Sequence, residues 1–127
     1  MARVDLGLNG RRVQSVLIEN SVVFELSGHS FMMIQSAIIF ERGTDAMTLS
    51  AEDDPNQALH PIRVLVGSII DEATVAAAGA LRVDFSDGTR LDVEPDDAYE
   101  AWNVSGPDGA LIVCTPGGSL VTWSKYS

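Results

Sequence analysis

The chain has 127 residues, 46% of them hydrophobic and 20% charged, a composition that fits one globular domain over 1–127 with its own core. Eighteen acidic residues against eight basic ones give a net charge of −10. That balance argues against nucleic acid and anionic membrane surfaces as partners, because both recruit Lys and Arg.

The imbalance is uneven: residues 1–63 carry 8 acids and 5 bases, residues 64–127 carry 10 and 3. A single cysteine cannot close an internal disulfide. Residues 1–10 lack the apolar run of a signal peptide, and no apolar stretch is long enough to span a bilayer. The expectation is a cytoplasmic protein.

Residues 12–16 and 22–26 alternate apolar and polar as strands do. Ser27-Gly28-His29-Ser30 reads as a turn, and residues 31–34 return as the second arm of a hairpin. Residues 38–40 and 47–49 suggest another hairpin. An acidic connector follows at 52–56, where Asp54-Pro55 has the form of a helix start. Gly67 supplies a stop, so a short helix is expected within 55–66. Residues 68–76 read as a strand. Leu81, Val83 and Phe85 alternate with Arg82 and Asp84, Asp87-Gly88 is a strong hairpin turn, and Leu91 and Val93 carry the return. Residues 95–100 read as a helical turn or tight loop. The turns Gly106-Pro107-Asp108-Gly109 and Pro116-Gly117-Gly118 then divide residues 99–123 into a three-stranded meander.

A sparse internal repeat runs through this order. Leu8-x-Gly10-x-x-Val13 before the first hairpin matches Leu65-x-Gly67-x-x-Ile70 before the Asp87-Gly88 hairpin. In this alignment Leu26 matches Phe85, and the second turn is one residue longer. The fold class expected is α+β but mainly β: a twisted antiparallel sheet of hairpins and a C-terminal meander, with one short helix covering a face. A small, partly closed β-barrel is the alternative.

No catalytic set stands out. Glu94, Asp96, Asp97 and Glu100 could act as paired carboxylates only if their environments separated their pKa values, and a proline turn usually leaves carboxylates solvated. Cys114 lies within an apolar strand, where cysteine behaves as a small hydrophobe. His29 and His60 are far apart, and no short ligand pair seeds a metal site. The glycines fall between strands, away from any helix N-terminus that would hold a phosphate. Trp102 and Trp123 suit the core of a meander; alternatively, with Tyr99 and Tyr126, they form an exposed aromatic patch rimmed by acids. The candidate interface is therefore Asp96, Asp97, Tyr99, Glu100, Trp102 and Trp123.

The run Tyr99-Glu-Ala-Trp-Asn-Val-x-Gly-Pro-Asp-Gly, continuing through Cys114-x-Pro-Gly-Gly to Trp123, resembles a family of small stand-alone bacterial proteins of unknown function. Phe85-x-Asp87-Gly88-Thr-x-Leu91 upstream is similar to it as well. The resemblance implies a bacterial origin and carries no catalytic or binding residues.

Charge and composition together favour a non-enzymatic module for a basic protein partner, in the manner of an immunity protein or antitoxin. No cofactor or metal is expected, and the edge at residues 119–123 leaves room for a homodimer. The alternatives are a small-molecule-binding protein with a cavity between sheet and helix, and an enzyme using the 94–100 carboxylates.

Overall fold

The computed structural model describes residues 4–19, 21–49, 60–105 and 111–123. The backbones of His60 and Trp123 are described but not their side chains; the 52–56 connector, the 106–109 turn and Tyr126 lie outside the described residues. The strands are β1 (Val4–Asp5), β2 (Val13–Ile18), β3 (Val22–Leu26), β4 (Ser30–Ile34), β5 (Ile38–Arg42), β6 (Asp45–Leu49), β7 (Ile70–Val75), β8 (Leu81–Phe85), β9 (Arg90–Val93), β10 (Trp102–Ser105), β11 (Leu111–Cys114) and β12 (Leu120–Trp123). The expected helix is a 3-10 segment at His60–Leu65.

These strands form two antiparallel sheets, sheet I in the order β1-β7-β8-β9-β5-β6 and sheet II in the order β12-β11-β10-β4-β3-β2. The mainly antiparallel β character and the C-terminal meander are as the sequence suggests. The partner of each sheet is not: the inward rows of the two sheets enter one buried cluster, so sheet packs on sheet rather than under a helix. Neither sheet closes into a barrel among the described residues. The 3-10 helix lies along β2 at one edge and buries Ile62 and Leu65.

The sparse repeat is a structural duplication. Gly10 N–H donates to Ile70 O at 2.7 Å, and Gly67 N–H donates to Val13 O at 2.8 Å. Val13 N–H donates to Ser68 O and Ile70 N–H to Arg11 O, at 2.9 and 2.8 Å. Each bond becomes the other when the two Leu-x-Gly-x-x-apolar segments are exchanged. The bridge between them pairs Arg12 with Ile69, which are equivalent positions. The β2–β3 and β7–β8 pairs even share a bulge, between Val13 and Ser15 and between Ile70 and Glu72.

Leu26 does match Phe85, but the two following turns have equal length, because Leu26 pairs with Ser30 and Phe85 N–H donates to Thr89 O. The additional residues of the second half lie earlier, between β7 and β8. The halves also exchange hairpins. β5–β6 of the first half pairs with β9 of the second, and β10–β11 of the second pairs with β4 of the first.

Candidate functional site

Duplication gives the two sheets comparable outer faces, and their chemistry is opposite. On sheet I one row runs Asp5, Thr74, Arg82, Asp92, Ile39, Thr48 and the next Glu72, Asp84, Arg90, Glu41, Ala46. Arg82 Nε donates to Asp92 at 2.9 Å and Arg90 Nε to Asp84 at 2.7 Å, both across neighbouring strands. Five carboxylates therefore share a face with two guanidiniums, a surplus of three. The pairs are partly exposed, and surface ion pairs of this kind add little stability. Their main effect is to orient the row. The alternation of Arg82, Asp84, Arg90 and Asp92 with apolar residues is the signal of this face in the sequence.

The expected aromatic and acidic interface divides. Asp97 and Glu100 are exposed, Tyr99 is partly so, and Asp96 is half-buried. They lie on the connection that leaves β9 of sheet I and enters β10 of sheet II. Asp96 shapes it as an Asx turn: its Oδ1 accepts from Ala98 N–H at 2.7 Å and its carbonyl from Gly117 N–H at 2.8 Å.

Trp102 does not belong to any exposed patch. It is fully buried, and its Nε1 donates to Gly79 O at 3.0 Å. An indole that gains both burial and a hydrogen-bond partner has reason to sit in the core. The site around Gly79 is tight, since a Cβ on Gly79 would lie 2.4 Å from Gly118 O. The β7–β8 and β11–β12 turns meet backbone to backbone there. Trp123 occupies β12 opposite Leu111, and its side chain lies outside the described residues.

Cys114 is buried beside Trp102, and burial pushes its thiol up from the ordinary value. A raised thiol suits the core position read from the sequence and opposes a thiolate nucleophile. His29 is exposed at a turn with φ 63°. No group of three or more His, Cys, Asp or Glu side chains that could hold a metal occurs among the described residues.

Two of the hollows among the described residues bear on function. One of about 470 Å³ lies between the β5–β6 hairpin and the 3-10 helix, lined by Phe40, Arg42, Asp45, Met47, Pro61 and Val64. The other, about 570 Å³, opens on sheet II near Gln14, Val23, Glu25, His29, Ser30 and Phe31. Among the described residues no helix is long and apolar enough to cross a membrane.

Fold and surface together describe a duplicated, hairpin-exchanged pair of antiparallel sheets with an acidic outer face on sheet I. A family model described as a family of unknown function, DUF6188, matches residues 4–124, and the chain belongs to that family. Comparison with curated proteins and with solved structures gave no match.

Proposed function

We propose that the protein is a non-enzymatic binding module that takes a basic protein partner on the outer face of sheet I. The observation that carries this reading is the carboxylate surplus of Asp5, Glu41, Glu72, Asp84 and Asp92 over Arg82 and Arg90 on that face. The acidic connection of Asp96, Asp97 and Glu100 continues from its β9 strand. A surface of this kind steers a cationic partner into encounter and sets its orientation, as an immunity protein does for a basic toxin or nuclease.

The test is capture from the native host on the tagged full chain at low and at high salt. A basic protein retained at low salt, released at high salt and lost with Glu41→Lys/Glu72→Lys is the expected result. Retention of nothing at either salt, or capture indifferent to the double reversal, would overturn the proposal.

The hollow between β5–β6 and the 3-10 helix favours a second reading, a small apolar ligand held by Phe40, Met47 and Val64. A ligand screen read by thermal shift, with Val64→Arg as the blocked control, separates it from the first.

A further inference from the structure

The outer face of sheet II carries a row of Leu17, Val23, Met33, Asn103, Val113 and Val121, beside a row of Ser15, Glu25, Phe31, Ser105 and Leu111. In a chain of net charge −10, Glu25 is the one ionisable group in those eleven positions. Leu17 is 51% and Val121 37% exposed at the two ends, and Val23, Phe31, Met33 and Leu111 are half-buried. Val113, between them, is already nearly closed to solvent and adds little to the surface open for docking.

The duplicate half provides an internal control. The equivalents of Val23, Phe31 and Met33 in β8 and β9 are Arg82, Arg90 and Asp92. The fold accepts charged residues at these positions, so packing of the two sheets does not require apolar ones in sheet II. We infer that this face is where a second copy of the chain docks, sheet against sheet, in an isologous dimer.

Charge selects the occupant. A basic partner or a nucleic acid finds one carboxylate here and no cation, whereas a second copy presents the same neutral surface and buries few ions. The two rows cover roughly 25 by 15 Å from strand spacing and rise. A pair would then bury on the order of 750 Å², well below the range of standard stable interfaces. The dimer is therefore weak and reversible, and it forms at high protein concentration. Because each copy carries −10, salt tightens it by screening the repulsion between copies.

Sedimentation velocity on the full chain across a concentration series, at low and high salt, tests this. The expected result is a monomer–dimer equilibrium that strengthens with salt. Val23→Arg/Met33→Asp, which copies the Arg82–Asp92 pair onto sheet II, should raise the dimer dissociation constant at least roughly tenfold. Circular dichroism checks that this variant is folded. Amide shifts of the unaltered protein, followed against concentration, supply a readout free of substitutions and should move along β2, β3, β4, β10 and β11. A monomer at every concentration, a dimer unaffected by the double substitution in its folded form, or shifts confined to sheet I would each overturn the inference.

Discussion

Trp102 ties the second half of the chain to the first turn of its own sheet-I hairpin. Its indole N–H satisfies Gly79 O deep in the core, where Cys114 Sγ is the other close donor, at 3.5 Å. Trp102→Phe keeps much of the ring volume and removes that bond, so unfolding free energy should fall by about 1–3 kcal/mol. A urea midpoint that moves at constant slope checks this; an unmoved midpoint would mean the bond contributes nothing net. The sequence marks Trp102 as important and leaves its role open, because an aromatic in a meander suits either core or interface. Only the position of Gly79, 23 residues earlier, decides the matter.

Single hairpins were the most legible elements. Ser27-Gly28 and Asp87-Gly88 announce β3–β4 and β8–β9, and alternation on either side sets their registers. In the second turn Thr89 N–H donates to Asp87 Oδ1 at 2.9 Å, and this bond holds the Asp87 carboxyl below its ordinary value of 3.8. A depressed carboxyl stabilises the fold above the unfolded pKa, and that contribution is lost as pH falls through the folded one. Asp87→Ala should thus lower stability at neutral pH by up to about 1 kcal/mol. The gap to the unaltered protein should narrow in acid below 3.8, as followed by thermal melts. The two-residue β1 was not legible, since so short a strand has no period to read. The acidic face was only half legible: alternation showed in β8 and β9, but Glu41 and Glu72 join it through pairings that the sequence does not state.

The hairpin exchange was hidden for a similar reason. β5 pairs with β9 rather than with β4, although both choices bury the same alternate residues, so hydrophobic pattern cannot distinguish them. In the folded molecule the consequence is mechanical unity. Each sheet contains strands from both halves, so neither half should open without breaking the other. Native-state hydrogen exchange should give the same limiting free energy for amides of β3–β4 and of β8–β9. Two separate limits would show that the halves unfold independently.

The exchange also sets a clock on synthesis. Ile38 of β5 finds its β9 neighbour at Val93, 55 residues further along the chain, and Ile34 of β4 waits for Trp102. At about 5–20 residues per second, those delays last roughly 3–11 seconds for β5 and roughly 3–14 seconds for β4. For that time the nascent β4 and β5 stand as open edges with apolar inner rows uncovered, the state in which strands join the wrong neighbour. Slowing elongation after the β5–β6 codons would lengthen that exposure, and losses to aggregation would be decided there, before the protein is complete.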